Sequence, residues 1–170
     1  MKANIFLDLE GTIIDDLESY TFLENNCKKI KNFVKTLPIA LESVNIFTWG
    51  WLRHEEIEKD IVKRISDNIG FNINSVLTKE DSLISHARIN CRFSIVLENY
   101  ERELYDSGFT KEQSFIEMFR ERSLSNPCIL IDDQIEYTKT INFLGGTNKK
   151  FFIEVAPTFT NMSLINPKNL

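Results

Sequence analysis

Short, mostly apolar runs that break off into polar residues recur along this chain, separated by stretches with helical periodicity. The runs are 3–8 (ANIFLD), 43–48 (SVNIFT), 74–78 (NSVLT), 128–131 (CILI, with Asp132-Asp133 next) and 151–155 (FFIEV). They are too short for helices, and the clearest of them lack the polar alternation of a strand with one wet face. Strands buried on both faces belong to parallel sheets covered by helices on each side. Between the runs, 27–37, 52–69, 111–121 and 134–144 read as helices, and 82–106 reads as mostly helical, either one long helix or a helical pair. The second carries Ile57, Ile61, Val62, Ile65 and Ile69 on one stripe. Pro38, Gly70, Gly108 and Gly145-Gly146 supply the stops.

The expected fold is therefore α/β: a three-layer sandwich around a central, mostly parallel five-stranded sheet. A single domain is expected over 1–170, with a helical insertion at 82–108 and an irregular tail at 157–170. A chain of 170 residues can bury a core without staples. Its 42% apolar and 26% charged residues are those of an ordinary globular protein. Neither a bilayer-spanning run nor a signal-peptide pattern is visible. Cys27, Cys91 and Cys128 are odd in number, far apart and without CxxC spacing. They read as reduced packing residues, and a cytoplasmic location is expected. A net charge of −5 argues against broad nucleic-acid coating, and Lys28, Lys29, Lys31 and Lys35 read as a solvated helix face.

In doubly wound sheets, ligands bind beyond the carboxyl ends of the strands. Asp8, Thr48 and Asp132 each fall at such an end, which turns three separate motifs into one candidate pocket. Asp8-Leu9-Glu10-Gly11-Thr12 is the most telling. Side chains two apart on an extended strand return to one face, so Asp8 and Glu10 can share a cavity, and Gly11 lets the chain turn away.

Four ordered parts of this sequence resemble the haloacid dehalogenase (HAD) superfamily of phosphotransferases. They are the strand ending Asp8-Leu9-Glu10-Gly11-Thr12, the strand ending Ile46-Phe47-Thr48, Lys111 at a helix start, and the strand ending Leu130-Ile131-Asp132-Asp133. The likeness spans about residues 3 to 155. One departure is Glu10, where the family pattern has Asp; enolase-phosphatases of the family carry a similar D-x-E-G-T.

The resemblance implies a Mg²⁺-dependent phosphatase acting through an aspartyl-phosphate. Asp8 is then the nucleophile and Glu10 the general acid and base, while Thr12 steadies the turn. Thr48 and Lys111 bind the non-bridging phosphate oxygens, with Lys79 as the rival cation. Asp8, the backbone carbonyl of Glu10, and Asp132 or Asp133 hold Mg²⁺. Trp49 and Trp51 are substrate-side candidates for stacking, though they serve equally as cover for the sheet edge. Asp15 and Asp16 begin the segment after the first motif, close to the expected site. His54 and His86 read as structural or surface residues.

Neither gap between motifs is large enough for an independent cap domain. An open site would admit a bulky phosphorylated substrate such as a nucleotide, a polynucleotide end or a phosphoprotein. The alternative expectation is a HAD-like fold kept as a binding module for a protein or nucleic-acid partner. Such a module is of the kind some phage proteins use on host machinery such as the transcription apparatus. A response-regulator receiver also has acids at strand ends, but it places the acidic pair first in the chain.

Overall fold

A computed structural model describes residues 2–37, 39–58, 60–119 and 126–133, and the backbone of 150–154. The strands are β1 (Lys2–Leu7), β2 (Ala40–Phe47), β3 (Ser75–Leu77), β4 (Cys128–Asp132) and β5 (Lys150–Glu154). The helices are α1 (Glu24–Thr36), α2 (Ile61–Ile69), α3 (Lys79–Ile89), α4 (Leu97–Asp106) and α5 (Lys111–Phe119). Every strand pair is parallel, as continuous apolar strands require. Strands β3, β2, β1 and β4 lie side by side in that order, and β5 runs along the outer edge of β4. The chain winds outward from β1 through β2 to β3, then crosses back to lay β4 on the other side of β1. The β1–β4 boundary is thus where strand order reverses and a crevice opens.

Alternation along the strands assigns the two faces. Ile5, Leu7, Val44, Ile46, Ile129 and Ile131 point to one side, against Ile30, Phe33 and Val34 of α1 and Ile61, Ile65 and Ile69 of α2. Phe6, Phe47 and Leu130 point to the other, against Phe115 and Phe119 of α5. A third apolar cluster joins α3 to α4 through Leu83, Ala87, Tyr100 and Leu104. Among the described residues, no helix is long and apolar enough to cross a membrane. Cys27, Cys91 and Cys128 are outside any disulfide, with Cys91 exposed.

One expectation is corrected. The helix expected over 52–69 begins only at Ile61, and His54–Glu56 forms a short 3-10 turn instead. The Glu56 carboxylate turns back to accept from the backbone N–H groups of Leu52 and Arg53. The carbonyls of Trp51 and Leu52 are in turn taken by the N–H groups of Lys79 and Glu80, so this segment is tied to α3 and cannot wind into α2. The stretch 82–106 is a pair of helices, because Cys91 takes a left-handed conformation (φ 56°) that ends α3. The first helix begins at Glu24, three residues before the expected start at 27. The helix expected at 134–144 and the tail at 157–170 lie outside the described residues.

Candidate active site

The register sets the site. Leu7 pairs with Ile131, and the Asp8 N–H donates to the Ile131 carbonyl at 2.9 Å, so the tips of β1 and β4 are locked side by side. Phe6 and Leu130 face α5, and two residues further on Asp8 and Asp132 leave the sheet on that same side, both buried. The α5 helix starts at the matching height. Thr110 and Gln113 cap it reciprocally, the Thr110 hydroxyl accepting from the Gln113 N–H and the Gln113 side chain accepting from the Thr110 N–H.

From the first position of α5, Lys111 passes the Phe47 ring (Nζ 5.8 Å from its centroid) and bonds both carboxylates. Its ammonium pairs with Asp8 and, at 2.6 Å, with Asp132. Lys79 also lines the cleft but pairs with Glu101 at 2.7 Å; the cation on the carboxylates is Lys111.

After β1 the chain makes one tight turn in which the Leu9 carbonyl accepts from the N–H groups of Thr12, Ile13 and Ile14. Gly11 sits in it at φ 74°. A Cβ there would lie 2.3 Å from Asp133 Oδ2, so glycine is required both by the backbone and by the close approach of Asp133.

Carboxylate oxygens of Asp8, Asp132 and Asp133 lie within 4.8 Å of one another. Three acids crowd around one ammonium, and burial together with the crowding raises the pKa of two of them, Asp8 and Asp133. Burial, reinforced by Asp132, pushes Asp8 up to about 7 even though Lys111 pulls the other way. Burial and Asp132 likewise raise Asp133 to about 6. Burial disfavours the charge on Lys111, but Asp8 and Asp132 outweigh it and hold its pKa above the ordinary lysine value. A cluster of hard oxygen donors with more negative charge than its one lysine can neutralise fits a small divalent cation such as Mg²⁺.

Asp8, Glu10, Trp49, Lys111, Asp132 and Asp133 all line one cleft of about 730 Å³. Exposed Asp15 lines it too, whereas half-buried Asp16 is spent on the N–H groups of Glu18 and Ser19. Three expected site residues are not on the cleft wall. Thr48 is fully buried at the tip of β2, its hydroxyl accepting from the Gly50 N–H at 3.0 Å. Thr12 is fully buried, and its hydroxyl has no hydrogen-bond partner among the described residues. Trp51 packs into the aliphatic core beneath α1 and α2 and is corrected from a substrate contact to a core residue. His54 and His86 pair with Asp81 and Glu117 on the α3 side.

Sequence reasoning missed Glu101, Tyr105, Phe109 and buried Glu112, all of which line the cleft. The available signal was spacing. Glu101 and Tyr105 are four apart on α4, on a face beside the buried Tyr100 and Leu104.

Compared with known proteins, the chain matches no family model, no curated protein and no solved structure.

Proposed function

We propose that this chain is a phosphomonoester hydrolase of the haloacid dehalogenase type, with Mg²⁺ as its metal and Asp8 as its nucleophile. One observation carries the reading. A single ammonium, Lys111, joins the carboxylates at the ends of two adjacent parallel strands, across 103 residues of chain from Asp8. Folding has gathered like charges at a crevice, which costs stability, and such costly clusters concentrate at functional sites.

In the proposed reaction an Asp8 carboxylate oxygen attacks phosphorus as the bond to the alcohol oxygen breaks. Glu10, on the open side of the cleft, gives the departing oxygen its proton. Glu10 then takes a proton from water, which attacks the aspartyl-phosphate, releases inorganic phosphate and restores Asp8. Lys111 holds Asp8 in place and meets the phosphoryl oxygens. Asp8, Asp132 and Asp133, with the Glu10 carbonyl, would hold Mg²⁺, which when bound supplies charge neutralisation for the phosphoryl group. Thr48 acts by fixing the 48–50 turn that carries Trp49.

Purified protein is expected to hydrolyse a generic aryl phosphate when Mg²⁺ is added, and Asp8→Asn to lose at least about a thousandfold in rate. Equal rates in wild type and Asp8→Asn would refute the assignment.

A binding module remains the second reading, and one feature favours it. Ile89, Phe93 and Val96 are large apolar side chains left exposed within the α3–α4 segment. It predicts no turnover on a broad phosphate panel, together with a protein or nucleic-acid partner that Asp8→Asn retains as well as wild type.

A further inference from the structure

The cleft has two unlike walls. One is the carboxylate and lysine cluster. The other comes from the 49–50 turn, from α3 and α4, and from the loop before α5. Trp49 is fixed in this second wall: its Nε1–H donates to Ser82 Oγ at 2.9 Å, and its ring stacks on Phe109 with centroids 6.1 Å apart.

Tyr105 lines the same wall yet is 82% exposed, and its side chain makes no hydrogen bond or ring contact among the described residues. It is carried rigidly, because the neighbouring Tyr100 and Leu104 anchor α4 in a buried cluster. Close by, Lys79 and Glu101 pair at 2.7 Å while staying 24% and 33% exposed, presenting a donor and an acceptor side by side. Among the described residues, seven acidic side chains and only two lysines line the cleft. One phosphoryl group can be met by Lys111 and a metal ion; a second anionic group would face a wall with more carboxylates than cations.

Resting on the phosphohydrolase reading above, we propose that the substrate is a monoester carrying one phosphate on a ring-bearing alcohol, of the nucleoside monophosphate class. The flat ring stacks on Tyr105, and its polar edge meets Lys79 and Glu101. A cleft of about 730 Å³ has room for such a molecule. Polynucleotide ends and sugar bisphosphates are turned away, since their further phosphates would meet acidic side chains and a lysine, Lys79, already paired with Glu101.

The test compares kcat/KM, with Mg²⁺ present, for adenosine 5′-monophosphate, glycerol phosphate and a 5′-phosphorylated oligonucleotide. The mononucleotide is expected to exceed each of the others by about tenfold or more. Tyr105→Ala is expected to shrink its advantage over glycerol phosphate, mainly through KM. Equal rates on mononucleotide and glycerol phosphate, or a preference for the oligonucleotide, would overturn the proposal while Asp8-dependent turnover left the phosphohydrolase reading standing. Should wild type turn over none of the three, tryptophan fluorescence decides. Quenching by the mononucleotide but not by glycerol phosphate, weakened in Tyr105→Ala, supports ring recognition and sinks only the hydrolase reading. No quenching overturns ring recognition itself.

Discussion

The two faces of the sheet are made by alternate residues of the same strands, yet they differ in kind. Toward α1 and α2, the buried side chains of β1, β2 and β4 in this cluster are aliphatic from end to end. Toward α5 the surface changes along the strands. Asn4, Ser43, Asn45 and Ser75 form a hydrogen-bonded ladder at the amino end, with Ser43 Oγ to Asn4 Oδ1 at 2.7 Å and Ser75 Oγ to Asn45 Oδ1 at 2.8 Å. Phe6 and Phe47 occupy the middle, packed on Phe115, and the carboxylates take the far end. A uniform face can only add stability through burial. A graded face fixes where α5 sits, and so where Lys111 arrives. One side of the sheet holds the fold, and the other places the carboxylate and lysine cluster.

That division can be broken most forcefully at Lys111. Lys111→Met removes the ammonium from two buried carboxylates and is expected to cost about 3–5 kcal/mol near pH 8 in metal-free solution. The cost depends on pH, with a definite sign. An Asp8 pKa raised from 3.8 to about 7 means that between those values the folded protein holds a proton the unfolded chain has lost. Stability of the metal-free protein therefore falls as pH rises through that window and levels off above it. Denaturant midpoints in EDTA should show this decline in wild type. It should be steeper in Lys111→Met, flattened in Asp8→Asn, and partly reversed by Mg²⁺ at pH 8. A wild-type midpoint that rises from pH 5 to pH 8 without metal would contradict it.

On the other face, Ile65→Ala should cost about 2–5 kcal/mol by leaving a cavity beneath α2. Hydrolysis per folded molecule should stay close to wild type, since Ile65 packs in the aliphatic cluster away from the cleft. Denaturation and active-site titration together separate the two effects. A specific-activity loss as large as the stability loss would mean that the faces are not independent.

A smaller effect is expected at the seam between them. Gly11→Ala meets both a left-handed φ and the Asp133 carboxylate, and should cost about 1–3 kcal/mol. Because it pushes Asp133 aside, Mg²⁺ affinity should weaken as well. Calorimetric titration reads that second effect directly.

Local features were the legible ones. An apolar run ending in Asp8-Leu9-Glu10-Gly11-Thr12 reports its own burial and its own turn, and Asp132 follows its strand in the same way. Residues just past a strand end were harder. Thr48 follows Phe47, whose ring faces α5, and the hydroxyl goes to the Gly50 N–H while the chain swings Trp51 into the opposite core. A shift of one residue in such a turn exchanges the faces, and periodicity carries no information there. The 52–60 segment has the right apolar spacing for helix, but the Glu56 carboxylate and the α3 backbone compete for its polar groups. The α3 backbone lies outside any helical window over this segment, and nothing in the spacing shows that Glu56 turns back on its own chain. Choosing Lys111 over Lys79 depended on motif order rather than on any property of the two lysines. The aromatic wall depended wholly on how α4 docks.

The most direct measurement is a crystal structure of the protein soaked with Mg²⁺ and beryllium fluoride. Beryllium bonded to an Asp8 carboxylate oxygen, with Mg²⁺ held between Asp8 and Asp132 or Asp133 and Lys111 against the fluorides, is the expected result. A bare Asp8, or a mimic bound elsewhere while these four side chains keep their ion pairs unchanged, would contradict a phosphoryl-transfer site at this sheet edge.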